Sequence, residues 1–167
     1  MRVGITGHQR LEDPEGWPWV AGVMREELAR LALPLVGVTS LAVGADQLLA
    51  QLILERGGTI HVVLPFAEIE RSFAPADVST YRELARQATI EVLDTLGTDE
   101  DAYLAAGHRV VEISDLIVAV WNGKPAKGRG GTADVVAYAR RRGVPLIHID
   151  PVARTVRRLH DEGKERS

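Results

Sequence analysis

Toward the carboxyl end of the chain, Gly130-Gly131-Thr132 stands directly before a helix-like pattern, "ADVVAYARRR". The first turn of a helix has amide N–H groups without intrahelical partners and carries the positive end of the helix dipole. Glycines there let the oxygens of an anion reach the backbone, and the Thr132 hydroxyl adds a donor. The step therefore predicts a phosphate cradle. Lys124, Lys127 and Arg129 in the preceding loop either add charge to it or are ordinary solvated residues. This is not a P-loop, since the GK[ST] ending is absent, and "GITGHQ" near the amino end lacks the G-x-G-x-x-G spacing of a dinucleotide fingerprint.

Such a cradle needs a scaffold, and the hydrophobic pattern supplies one. Short apolar runs rich in β-branched residues predict strands at 2–6, 36–41, 59–64, 90–94, 115–121 and 144–149. Between them, amphipathic patterns predict helices near 16–33, 44–56, 77–88, 100–113 and 131–142. In the second helix, Leu48, Leu49, Leu52 and Ile53 form one stripe. Alternating strands and helices mean an α/β fold: a single-domain, Rossmann-like three-layer sandwich with a mostly parallel sheet and helices on both faces. Residues 1–150 make up this domain, and 151–167 read as a polar, basic tail expected to form a short surface helix.

In a sheet of this kind, ligands bind beyond the carboxyl ends of the strands, where the strand order reverses. Small and polar residues stand at three such ends. Thr6, Gly7, His8 and Arg10 follow the first strand, and Gly44, Ala45 and Asp46 follow the second. Trp121, Asn122 and Gly123 follow the fifth and lead to Gly130, Gly131 and Thr132. His8 is either a proton donor or ligand-positioning group, or an imidazole that holds its turn. Trp121 is either a platform for a base or a core aromatic. His61 and His148, within strands, read as packing residues, and Asp115 starts its strand at the far end from the cleft.

Composition narrows the classes. The 167 residues carry a formal charge of −3, which offers no general electrostatic reason to bind nucleic acid. The chain has no cysteine, which removes disulfides and thiolate metal sites and is compatible with a cytoplasmic location. Five histidines without a close pair give no metal constellation, and no cofactor is implied. No apolar run approaches the ~20 residues needed to span a bilayer, and "VGIT" follows Met1 without the pattern of a signal peptide.

With "TGHQR", "AVGADQLLAQL", "DLIVAVWNG" and "GGTADVVAYARRRGVPLI" in this order, the chain resembles the SLOG superfamily. That group includes the Lonely Guy phosphoribohydrolases, the DprA-type DNA-processing fold and the YpsA-like proteins. The early "TGH", the "GAD" and the "WNG…GGT" pair resemble the YpsA-like branch most. The resemblance implies a nucleotide-derived ligand held between the first-strand loop and the GGT loop, in a ligand-sensing module, and homodimerisation through helices. The segment 66–113 is the least family-like and reads as a variable insertion that shapes one wall of the cleft.

Lonely Guy enzymes carry P-G-G-x-G-T-x-x-E, whose glutamate serves N-glycosidic cleavage. Here Val135 stands three positions after Thr132. The expected function is therefore binding of a nucleotide or nucleotide-derived small molecule. The alternative is a nucleoside 5′-monophosphate N-glycosidase using Asp46 or Asp134 as a relocated carboxylate. DNA binding in the DprA manner ranks last, for want of a basic stripe.

Overall fold

The computed structural model describes residues 1–125 and 128–160. Seven strands are joined in one sheet: β1 (Arg2–Gly7), β2 (Val36–Thr39), β3 (Thr59–Leu64), β4 (Ala88–Val92), β5 (Leu116–Val120), β6 (Leu146–Asp150) and β7 (Thr155–Leu159). Five α-helices connect them: α1 (Gly16–Ala29), α2 (Ala45–Glu55), α3 (Pro75–Ala85), α4 (Asp99–Glu112) and α5 (Thr132–Arg141). A 3₁₀ turn spans Ile69–Ser72.

The strand order is β4-β3-β2-β1-β5-β6-β7. All neighbours are parallel except β6 and β7. The central strand β5, "LIVAV", is buried at every residue, as expected where helices cover both faces. Val20, Met24 and Leu28 of α1, Leu49, Leu52 and Ile53 of α2, and Tyr81 and Leu84 of α3 share one core layer. Ala106, Val110 and Val111 of α4 and Val135, Val136 and Ala139 of α5 form the layer on the opposite face. The chain moves outward from β1 to β4, then returns through α4 to β5 on the other side of β1. The carboxyl ends of β1 and β5 therefore diverge, and a cleft opens between them.

Two expectations need correction. The segment 66–113 is no insertion, because β4 extends the sheet beside β3 and α4 supplies half of one core layer. Its start is set by a reciprocal capping box, with Thr98 accepting from the Asp101 amide and the Asp101 carboxylate accepting from the Thr98 amide. The tail also differs from the short helix expected of it. Asp150 Oδ1 accepts hydrogen bonds from the amides of Val152 and Ala153, both 2.9 Å, and the reversed chain pairs with β6 as the edge strand β7. Arg158 then donates to the buried carboxylate of Glu27 on α1, with Nε 2.9 Å from Oε2. A ladder and a long-range ion pair make this strand. Neither leaves a local hydrophobic period to read. Residues 161–167 lie outside the described residues.

Candidate functional site

The cleft between β1 and β5 has a volume of ≈ 990 Å³, at the upper end for small-ligand sites. Its floor is Thr6, 8% exposed at the end of β1. Three loops meet above it. The His8 amide donates to Val120 O (3.0 Å), and the Ala45 amide donates to His8 O (3.1 Å), which stitches the β1 turn to β5 and to the start of α2. Gly44 makes that meeting feasible. Its φ is +93°, and a Cβ there would run into the carbonyl oxygens of His8 and Gln9.

His8 settles as a positioning group. Its Nε2 accepts the Asn122 amide at 3.1 Å, so this nitrogen is unprotonated. Burial lowers its pKa, and the ring ties the β1 loop to the β5 loop. Trp121 is likewise engaged within the loop. Its ring packs on His148 with centroids 5.3 Å apart, and its indole N–H donates to Lys124 O at 2.8 Å. Asn122 Oδ1 accepts the Lys124 amide at 3.1 Å, and Gly123 has φ +80°. Trp121 thus lines the cleft while holding the β5 loop in place.

The two candidate carboxylates are both committed to bracing loops. Asp46 is 7% exposed, and its Oδ2 accepts Thr39 Oγ1 and the Ser40 amide, each at 3.0 Å. Burial pushes its pKa up to about 6. Asp134 Oδ2 accepts the Gly130 amide at 3.0 Å, which fixes the glycine step one turn back. Gly130 has φ +81°, and a Cβ there would lie 2.7 Å from the Leu104 amide nitrogen. Val135 is 3% exposed within the layer formed by α4 and α5. The glutamate position of the Lonely Guy pattern has become part of the core.

What remains available at the start of α5 is the cradle itself. The Thr132 and Ala133 amides belong to the first helical turn and lack intrahelical partners, and Gly131, Thr132 and Ala133 all line the cleft. The rim carries Arg10, Lys124, Arg129 and Arg154. Arg10 pairs with Asp77 at 3.2 Å and Arg129 with Asp101 at 2.6 Å. Lys127 lies outside the described residues. Asp115 sits at the far end of the sheet and accepts the Arg2 amide at 2.7 Å. His61 meets Glu91 at 2.9 Å and His148 meets Trp121 O at 2.7 Å; both are half-buried in their strands and neither lines the cleft.

The segment 66–113 was expected at one wall of the cleft, without its residues being named. Tyr103, Ala106, Gly107 and Val110 of α4 line the cleft at helical spacing, a stripe that was readable in the sequence. Tyr103 is 37% exposed and meets Phe66 edge to face at 5.6 Å, while Arg71 lies over the Phe66 ring at 5.0 Å. Among the described residues no cluster of three or more His, Cys, Asp or Glu is placed to hold a metal ion. No helix among them is long and apolar enough to cross a membrane.

No family model and no curated protein matches this chain. Solved structures do. DNA processing protein A from Helicobacter pylori, described with its single-stranded DNA binding mode, matches with TM-score 0.64 and 18% identity over 90% of this chain and 65% of that one. DNA processing protein A from Streptococcus pneumoniae matches with TM-score 0.62 and 18% identity over 89% of this chain and 50% of that one. A structural-genomics target, TM1055, matches with TM-score 0.54 and 18% identity over 87% and 71%. The chain therefore spans about two thirds and one half of the two DNA processing proteins it resembles.

These likenesses confirm the Rossmann-like fold and correct three expectations. Two of these structures are DNA processing protein A, so the expected YpsA-like branch is not carried forward; at 18% identity the likeness is one of fold. The neighbours named by their role are DNA processing proteins and supply no example of the expected nucleotide-sensing module or of its N-glycosidase alternative, and Asp46 and Asp134 are engaged in their own loops. The likenesses also remove the ground for excluding nucleic acid. A net charge of −3 is a sum over the whole chain, whereas the cleft is lined by Arg10, Lys124, Arg129 and Arg154 beside Glu12, Asp13 and the buried Asp46.

Proposed function

We propose that the cleft binds single-stranded DNA, with a backbone phosphate seated on the first turn of α5. The observation that carries this reading is the convergence of the Gly131–Ala133 turn with four basic residues around one cleft at the switch point of the sheet. The likeness in fold to a DNA processing protein that binds single-stranded DNA supports it. In this reading the Gly131, Thr132 and Ala133 amides hold phosphate oxygens. Arg10, Lys124 and Arg129 neutralise neighbouring phosphates. Tyr103, backed by Phe66, offers a face on which a base stacks, an interaction that tolerates any sequence. The protein holds the strand without cutting it, and its setting is the cytoplasm.

Fluorescence anisotropy with a labelled oligothymidylate tests the reading. Saturable binding is expected, tighter than for a duplex of equal length. The logarithm of the affinity should fall with the logarithm of salt concentration by about 0.7 per phosphate contacted. Absence of binding at low salt would overturn the proposal.

The rim ion pairs lead to a further expectation. Asp77 holds the Arg10 guanidinium at 3.2 Å, so a DNA phosphate must compete with a carboxylate of the same chain. Asp77→Asn should therefore raise the affinity for oligothymidylate roughly threefold, the scale of one exposed ion pair. An affinity unchanged or lowered in that variant would remove Arg10 from the contact set.

A further inference from the structure

One stretch of cleft wall lies away from the cradle. The turn between β6 and β7 contributes Pro151, Val152 and Arg154 to it. Its shape is fixed from within. Asp150 Oδ1 accepts the Val152 and Ala153 amides, both at 2.9 Å, Pro151 is buried, and the ladder of β7 to β6 resumes at Thr155. Arg154 closes the turn at φ +55°, a left-handed conformation that glycine or asparagine adopts at less cost. A long cation therefore stands where the backbone would favour a smaller residue.

The side chain is placed as firmly as the turn. The Arg154 guanidinium lies over the Trp19 ring of α1, 5.3 Å from its centroid, and an arginine held on an aromatic face keeps its in-plane N–H donors for an anion. Arg10 and Arg129 are each engaged by a carboxylate. Arg154 takes part in none of the ion pairs among the described residues, although Glu12 and Asp13 line the same cleft. Its charge is exposed.

Position decides what that charge can meet. Trp19 packs against the core layer of α1, α2 and α3, whereas Gly131–Ala133 lead into α5, which belongs to the layer on the opposite face of the sheet. The β5 loop, Trp121 to Lys124, runs between these two places, because β5 stands between β1 and β6.

We propose that Arg154 holds a second phosphate of the strand seated on α5, so that the strand crosses the carboxyl edge of the sheet from the α5 face to the α1 face. The inference rests on the reading of the cleft as a single-stranded DNA site. Within that reading it gives the strand a path, from the cradle past the β5 loop to the β6–β7 turn. Trp19 is a positioning residue that acts through Arg154.

Arg154→Gly removes the guanidinium and suits the left-handed backbone, so the fold should persist, as thermal melting will show. Its affinity for labelled oligothymidylate should fall roughly tenfold, the scale of one charge-assisted hydrogen bond. The slope of log affinity against log salt should drop by about 0.7, one phosphate contact fewer. Arg154→Lys keeps a cation at the turn and should keep the wild-type slope. Arg154→Asn also suits the backbone; it should behave as the glycine variant does, and it decides should Arg154→Gly fail to fold. Unchanged affinity and slope in the neutral variants would overturn the second contact while leaving the cradle in place. So would a loss of affinity with the slope unchanged, which would make Arg154 a brace of the turn. A wild type that binds no oligothymidylate would remove the parent reading, and this contact with it.

Discussion

Gly131→Val is expected to weaken binding of single-stranded DNA about a hundredfold, the scale of two charge-assisted hydrogen bonds, while the fold persists. Gly131 is the N-cap of α5 with φ −73° and ψ 173°, an extended conformation open to any residue, so valine does not strain the backbone. Its side chain is expected to crowd the approach to the Thr132 and Ala133 amides, where the proposed phosphate sits. The melting temperature should fall only slightly, by the small cost of a poor N-cap. Gly130→Val makes the contrast, since its φ of +81° and its approach to Leu104 predict loss of fold and binding together. Anisotropy titrations and thermal melts of both variants provide the check. Binding by Gly131→Val within about threefold of wild type would exclude the cradle from DNA contact.

The second large effect concerns Asp46 and pH. Burial raises its folded pKa from the ordinary 3.8 to about 6, so the folded protein takes up this proton more readily than the unfolded chain. The stability that Asp46 contributes is fully present below the unfolded value and is lost as pH rises through the folded one. Between about pH 4 and about pH 7 this group should therefore remove about 3 kcal/mol of stability. Glu91, whose pKa is lowered chiefly by the hydrogen bond to His61, and Asp101, held down chiefly by Thr98, act in the opposite sense. Their contributions are lost as pH falls through their lowered values.

The Asp46 part is isolated by comparison with Asp46→Asn. The new amide oxygen can still accept Thr39 Oγ1 and the Ser40 amide but does not titrate. Denaturant unfolding across that pH range should show the wild type losing stability relative to the variant as pH rises. Parallel curves for the two proteins would show that Asp46 does not titrate in this range.

How much of this was legible beforehand depended on whether the information was local. The third strand was read with its observed limits, 59–64, because "TIHVVL" combines β-branched residues with a flanking glycine pair. Helix α5, expected near 131–142, spans Thr132–Arg141, since a helix terminus is a property of a few neighbouring residues. Alternation of strand and helix likewise determined the layered, mostly parallel fold. Even the convergence of the β1, β2 and β5 loops followed from that architecture, because parallel strands deliver all their carboxyl ends to one side.

Tertiary structure alone decided what those loop residues do once gathered. Nothing near His8 in the sequence indicates that its Nε2 accepts the amide of Asn122, or that the Asp46 carboxylate is occupied by Thr39 and Ser40. Strand β7 escaped for the same reason, since its ladder to β6 and the Arg158–Glu27 pair join residues far apart in the chain. The charge balance is a sum over the chain and carries no positions: only the fold brings Asp101 of α4's first turn within 2.6 Å of Arg129 on the cleft rim. Hydrophobic period and turn chemistry act between neighbours and are written in the sequence. Hydrogen-bond partners and local potential depend on which distant residues the fold brings together.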